Sequence, residues 1–306
     1  MTIKKIRPSA HLIKRAFSPP HNLYCENQDK PIFIVGSGRS GNTLLRRILM
    51  NDPSIYIPPE TYVLGQIIRD FDRYSRLEWS TLIHLVLNHL SLSEDFKYFP
   101  TPYLRPLYQN LLMAKESERC LSTILSGFYL YMASKVKPTA TRWGDKTPLN
   151  TASLDKIDEV FPNAQYIHLV RNIHDVCLSY VNMGRYKTYQ EAANRWKTAN
   201  QKIEEFKNHS GQRVKTITYE DLVRSPEIQV GAICEFLKLE YDPRLLTDSP
   251  TAEVLGDVNV SHYSNVQKDI SDKSIGNGVK EIEKEIRAEI FVIAGALMNH
   301  YGYGEN

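Results

Sequence analysis

Residues 31–49 read PIFIVGSGRSGNTLLRRIL. The apolar run Ile32-Phe33-Ile34-Val35 is the pattern of a strand buried on both faces. Directly after it, Gly36 to Thr43 has the spacing of a phosphate-binding loop, G-x-x-x-x-G-K-[ST], with Asn42 where the lysine belongs. A helix from Thr43 to Met50 follows. A strand feeding a glycine-rich turn that opens a helix aims several backbone N–H groups at one point, and the helix dipole adds to them. The site therefore suits an anion. Without the lysine that balances the β and γ charges of a nucleoside triphosphate, it is not the usual ATP cradle. Arg39, inside the turn, supplies a different cation.

Working outward, 306 residues are enough to bury a full core. A hydrophobic content of 42% against 24% charged residues belongs to an ordinary globular chain rather than a disordered one. The net charge of +3 suits an anionic ligand but is far too small to indicate nucleic acid. Cys25, Cys120, Cys177 and Cys234 are scattered with no CxxC pair, which predicts four reduced thiols in a cytoplasmic protein and no zinc site. No apolar run reaches the length of a membrane span; the longest, Ile290 to Met298, reads as a buried helix. Residues 1–29, with Lys4, Lys5, Arg7, Lys14 and Arg15 but no apolar core, read as a loosely packed tail and not a secretory signal. One domain is expected over residues 30–306.

Ser54 to Ile57 reads as a second strand closed by Pro58-Pro59, with Glu60 just beyond. Residues 66–137 form a helical block, expected as an insertion on the acceptor side. Thr141 to Trp143 is a short strand followed by the loop GDKTP (144–148), and a helix covers Leu149 to Phe161. The strand Gln165 to Val170 ends at Arg171, and a helix follows to Asn182. Thr188 and Glu191 make a capping box that opens a long helix. Val214 to Tyr219 is the last strand; the polar stretch 256–278 and a C-terminal helix complete the chain. Alternating strands and helices predict an α/β fold, a parallel sheet covered by helices on both faces. In such sheets ligands gather at the carboxyl ends of the strands. Arg39 and Thr43, Glu60, Lys146, Arg171 and Tyr219 each follow or end one strand, so residues up to 180 positions apart are delivered to one rim.

At these residues the chain resembles the PAPS-dependent sulfotransferases (PAPS is 3′-phosphoadenosine 5′-phosphosulfate). IFIVGSGRSGNTLLRRIL resembles the family's 5′-phosphosulfate loop. YIPPET, with Glu60 21 residues after Arg39, matches the spacing of the catalytic glutamate in tyrosylprotein sulfotransferases. FPNAQYIHLVRNIHDVCLSY resembles the segment for the 3′-phosphate, with Arg171 and Ser179 eight apart; GDKTP and TYEDL also fit. The resemblance implies a P-loop-like sulfotransferase fold and transfer of sulfate from PAPS to a hydroxyl acceptor, releasing PAP, with no metal. It implies Glu60, Lys146 and Arg39 as catalytic groups. Gly38, Arg39, Ser40, Gly41, Asn42, Thr43, Arg171, Ser179 and Tyr219 would hold the nucleotide. The acceptor stays open among a carbohydrate, which bacterial relatives often modify, a small alcohol or phenol, and a peptide tyrosine. Three departures stand out: Gly38 replaces a proline, Asn42 replaces the first threonine but keeps an amide able to donate a hydrogen bond, and Ser274-Ile-Gly-Asn277-Gly278 lacks the basic residue and tryptophan of an SxGRW-like stretch.

Competing readings exist for most of these residues. Glu60 could instead cap a helix starting near Tyr62, although its register against Arg39 favours catalysis. Arg171 could pair structurally with Asp145 or Asp175, and Ser179 could bond its own helix backbone. Tyr219 could be a core aromatic, and Trp196 reads as packing. Glu220-Asp221 resembles a Walker-B acid, the mark of a P-loop kinase or nucleotide-binding module. A PAP sensor without turnover is a third alternative. His168, His174 and His262 have no metal spacing. Phe71, Tyr74, Trp79, Tyr98 and Tyr103 are either helix-packing residues or the lining of an acceptor pocket.

Overall fold

The structure, a computed structural model, describes residues 19–26, 29–257 and 270–304. Five parallel strands, β1 (Ile32–Val35), β2 (Ile55–Tyr56), β3 (Arg142–Asp145), β4 (Gln165–Val170) and β5 (Val214–Thr218), form one sheet in the order β2-β3-β1-β4-β5. The first strand is central. All four of its side chains are at most 1% exposed, as an unbroken apolar run covered on both faces requires. Its register places Val35 opposite His168, so the glycine-rich turn leaves the sheet level with the end of β4.

After β1 comes α1 (Asn42–Leu49). Between β2 and β3 lie α2 (Leu64–Arg73), α3 (Trp79–Ser91), a 3₁₀ segment (Glu94–Tyr98), α4 (Arg105–Leu112) and α5 (Leu121–Val136). The expected helical block is thus four helices broken at turns. A single helix α6 (Leu154–Val160) precedes β4; the turn Pro148–Ser153 before it is 3₁₀, so the expected Leu149–Phe161 helix starts late. The next helices are α7 (Ile173–Asn182) and α8 (Tyr189–Ser210), the latter opened by the expected Thr188/Glu191 capping box. Beyond β5 come α9 (Tyr219–Arg224), α10 (Pro226–Leu237), single turns α11 (Arg244–Thr247) and α12 (Ala252–Leu255), then α13 (Asn277–Glu281) and α14 (Lys284–His300).

Two apolar clusters hold these layers. The larger joins the sheet to α1–α6, to Ile203 and Phe206 of α8, and to α9–α12; the smaller packs α7, the rest of α8 and α14 around Ile173, Trp196 and Ile290. The apolar run of α14 is buried on one face only, since Val292 is 86% exposed. Among the described residues no helix is long and apolar enough to cross a membrane. Phe71 and Trp79 are core residues, and Tyr74 and Tyr103 are exposed. His168 is fully buried against Asn200 at 2.9 Å, and burial lowers its pKa to about 4, so it is a neutral structural imidazole. His262 and most of 256–278 lie outside the described residues.

The cysteine expectation is overturned. Cys25 and Cys120 form a disulfide, while Cys177 and Cys234 are buried free thiols whose pKa values burial raises to about 12 and about 11. Scattered spacing hid a pair 95 residues apart that folding brings to a Cα–Cα distance of 5.9 Å. Disulfides persist in oxidising compartments and are rare in a reducing cytosol, so the cytoplasmic reading loses its basis. The segment 19–26 is also not loose. Asn22 and Leu23 carbonyls accept the N–H groups of Leu121 and Ser122 at 3.1 and 3.0 Å, and His21 packs on Trp79. Closing so long a loop is expected to contribute about 2–4 kcal/mol. Reduction, or Cys25→Ser, should therefore lower the melting midpoint by roughly 5–10 °C. Four titratable thiols in the unfolded, unreduced protein, instead of two, would show that the bond is absent.

Candidate active site

The turn after β1 is built as an anion cradle. Gly41 has φ 95°, and a Cβ there would lie 2.4 Å from the Tyr219 ring, so conformation and space both demand glycine. Arg39 takes φ 67°, the left-handed region that non-glycine residues enter at a cost and mostly at functional turns. Gly38 stands where the resemblance expects proline; a Cβ would meet the Tyr180 hydroxyl at 2.4 Å. Gly38, Arg39, Gly41, Asn42 and Thr43 all line one cavity of about 1500 Å³. Two of the loop side chains are buried. Asn42 Nδ2 donates to the Ser37 carbonyl at 3.1 Å and braces the turn, and Ser40 is fully buried with no partner for its Oγ among the described residues. From both, the backbone N–H near the start of α1 is what the turn can offer an anion.

Arg171 and Ser179 reach the same cavity from the end of β4 and from α7. Ser179 Oγ accepts from Arg39 Nε at 2.9 Å, so the two arginine segments meet across the pocket. Arg171 stacks on the Tyr219 ring at 4.4 Å and donates to the carbonyls of Ser274 at 2.7 Å and Arg39 at 3.3 Å. Its carboxylate neighbour is Asp175 at 3.8 Å, not Asp145. Tyr219 is the first residue of α9 rather than the end of the strand, and its hydroxyl meets Ser274 Oγ at 3.0 Å. Trp196 donates its indole N–H to the Arg171 carbonyl at 2.9 Å, which fixes the turn that presents Arg171. The stretch at 274–278 closes over this end despite its departures: Asp175 accepts Gly276 N–H at 2.9 Å and Gly278 N–H at 2.7 Å.

On the other side of the turn, Lys146 Nζ contacts Glu60 Oε1, with the side chains only 1% and 8% exposed. Both line the cavity. Their two loops are stitched together beneath it. Asp145 accepts from the hydroxyls of Thr61 at 2.9 Å and Tyr129 at 2.8 Å and from Asn150 Nδ2 at 2.7 Å. Burial raises the Asp145 carboxyl, and its hydrogen-bond donors oppose that shift. The helix-cap alternative for Glu60 fails, because α2 starts only at Leu64 with Val63 at its cap position.

Sequence reasoning missed Arg46. It is 1% exposed; Nη1 pairs with Asp257 at 2.7 Å, Nη2 donates to the Leu255 carbonyl at 2.6 Å, and Nε donates to the Ile57 carbonyl at 2.8 Å. One guanidinium thus ties α1, the strand end before Glu60 and the cavity wall at Asp257. The signal was there, an arginine directly after Leu44 and Leu45 on a helix that packs into the core. The Walker-B alternative also fails. Glu220 is buried and accepts from Asn172 N–H at 3.0 Å and Tyr303 hydroxyl at 2.6 Å, away from the cavity lining.

The profile of the sulfotransferase family matches residues 31–243. The Danio rerio protein-tyrosine sulfotransferase 1 is 23% identical over 300 residues, covering 94% of this chain and 77% of its own. The Mycobacterium bovis omega-hydroxy-beta-dihydromenaquinone-9 sulfotransferase Stf3 is 24% identical, covering 71% of this chain and 66% of its own. In fold, the sulfotransferase domain of the Synechococcus PCC 7002 olefin synthase superposes with TM-score 0.61 at 24% identity, over 89% of this chain and 96% of that domain. The profile match takes in the whole sheet and every candidate site residue from Gly38 to Tyr219, and on that ground the chain belongs to the sulfotransferase family.

Proposed function

We propose that this protein transfers a sulfuryl group from PAPS to a hydroxyl acceptor, giving PAP and a sulfate ester. The observation that carries the reading is the buried Glu60–Lys146 pair at the edge of a cavity that also receives Arg39, Arg171 and Ser179. PAPS, when bound, supplies the sulfuryl group and an oxygen of its 5′-phosphate as leaving group. The acceptor oxygen bonds to sulfur, the bond from sulfur to that phosphate oxygen breaks, and Glu60 takes the acceptor's proton. Arg39, Lys146 and the N–H groups at the start of α1 face the charge that develops on the departing oxygen. Arg171 and Ser179 would hold the 3′-phosphate, the former by a charge-assisted contact. The sulfuryl group carries less charge than a phosphoryl group, so these cations suffice in place of the missing P-loop lysine, and no metal is assigned a role. The Cys25–Cys120 bond supports an oxidising compartment rather than the cytoplasm.

Labelled-sulfate transfer from PAPS to a mixed hydroxyl panel tests the activity. PAP at about 100 times its dissociation constant should stabilise the fold by about 2.7 kcal/mol, and ATP with magnesium should not. A larger melting shift with ATP and magnesium than with PAP would favour a kinase-like module. Arg171→Ala should lower PAP affinity roughly tenfold to a hundredfold, in keeping with about 1.5–3 kcal/mol for a charged hydrogen bond. Affinity for the analogue lacking the 3′-phosphate should barely move. Equal losses for both ligands would assign Arg171 to the fold.

A further inference from the structure

The peptide group that follows Arg171 is held at both ends. Its carbonyl, that of Arg171, accepts the Trp196 indole N–H at 2.9 Å, and its N–H, that of Asn172, donates to Glu220 Oε1 at 3.0 Å. In a planar trans peptide these two groups point opposite ways, so one anchor from α8 and one from α9 fix the plane between them. The direction in which the chain leaves β4, and with it the direction of the Arg171 side chain, follows from that plane. One turn of α9 acts on Arg171 twice. The Tyr219 ring lies against the guanidinium, 4.4 Å from its centre, and Glu220, the next residue, takes the N–H. Arg171 Nε is buried with no hydrogen-bond partner among the described residues, which leaves the guanidinium a donor for an anion.

Glu220 is itself locked from a third element. α14 ends in a Schellman turn: Gly302 takes φ 79°, its N–H donates to the Asn299 carbonyl at 3.1 Å, and the Tyr303 N–H donates to the Met298 carbonyl at 2.8 Å. That reversal carries Tyr303 back onto the smaller apolar cluster and delivers its hydroxyl to Glu220 Oε2 at 2.6 Å. Burial and the adjoining Glu220 carboxylate raise the Tyr303 phenol far above its ordinary value, so the hydroxyl keeps its proton and serves as the donor. Glu220 is 7% exposed and does not line the cavity. With one partner on each oxygen inside the protein, its carboxyl has little freedom to turn away from Asn172. Charge alone would make this group unhelpful, because a carboxylate behind an anion site weakens anion binding. Its use to the site is therefore geometric.

We infer that Glu220, held by the Tyr303 hydroxyl, is a positioning residue for Arg171 and so sets how strongly the site prefers a nucleotide bearing a 3′-phosphate. This rests on the sulfuryl-transfer reading, in which Arg171 meets that phosphate, and it extends the nucleotide site to the turn after α14.

PAP and AMP differ by the 3′-phosphate, and calorimetric titration of both into wild type and three variants tests the inference. Wild type should prefer PAP. Glu220→Ala should lower PAP affinity by about tenfold and AMP affinity by less than about twofold. Tyr303→Phe removes one hydrogen bond and should shrink the preference by about threefold. Glu220→Gln should keep it within about twofold, since the amide oxygen accepts from Asn172 and the amide nitrogen donates to the Tyr303 oxygen. If Glu220→Ala does not fold, Tyr303→Phe set against Glu220→Gln makes the same comparison. A preference unmoved by Glu220→Ala and Tyr303→Phe, or PAP and AMP weakened alike, would overturn the inference and leave the donor reading standing. A stronger preference in Glu220→Ala would also overturn it, by showing that the charge acts and the hydrogen bonds do not. Wild-type protein that binds PAP no better than AMP would overturn the donor reading and this inference with it.

Discussion

Glu60→Gln should lower the single-turnover rate of sulfate transfer by about 10²–10⁴-fold, the usual cost of losing a general base. The substitution keeps size and a hydrogen-bonding end but removes the proton acceptor. PAP affinity should remain within a few fold, because the proposed base would meet the acceptor and not the nucleotide. The structure adds a second expectation. Lys146 is 1% exposed and contacts Glu60 Oε1, so the amide removes a negative charge in contact with a buried ammonium. Removing one partner of a buried pair costs about 3–5 kcal/mol at full burial, and less where the pair lines a cavity open to water. Rate must therefore be expressed per folded molecule, with melting measured on the same preparation. A binding-competent mutant with the wild-type rate would take Glu60 out of the mechanism.

Arg46→Met should be the most destabilising change that touches no substrate. Methionine fills the aliphatic path of the side chain but leaves Asp257, 4% exposed, as a buried charge, and strips the Leu255 and Ile57 carbonyls of their donors. Breaking a buried ion pair on one side costs about 3–5 kcal/mol, or a fall in melting midpoint of roughly 5–15 °C. The double change Arg46→Met with Asp257→Leu should recover much of that loss, since an apolar pair of similar volume is often as stable as a buried ion pair. Denaturant unfolding of the three variants separates the outcomes. A double variant no better than the single one would mean that the carbonyl contacts, and not the charge pair, dominate. Turnover should fall in the single variant as well, because the guanidinium ties the backbone just before Glu60 to the cavity wall at Asp257.

The local facts were legible in the chain. An unbroken apolar tetrapeptide before a glycine-rich turn can only be a strand buried on both faces feeding an anion cradle. Four more strands, each ending in or followed by a polar residue, imply one rim. Arg39, Glu60, Lys146, Arg171, Ser179 and Tyr219 are found there because strand ends and turns are decided by short-range sequence. What failed were statements about partners far away in the chain. Cys25 and Cys120 carry no spacing signal, and only the docking of segment 19–26 against α5 brings them together. Asn42 looked like a ligand donor, and it is the closed geometry of the turn that spends its amide on Ser37. Glu220 looked like a metal acid until Tyr303, 83 residues later, supplied the hydroxyl that occupies it. Arg46 went unremarked, because its buried counter-charge is Asp257, 211 residues away. The sequence by itself determined the sheet, the cradle and the rim, because backbone periodicity and turn chemistry act within a few residues. Pairing of charges, thiols and buried polar atoms was decided by tertiary structure alone, since burial makes each such group take whichever partner the fold delivers.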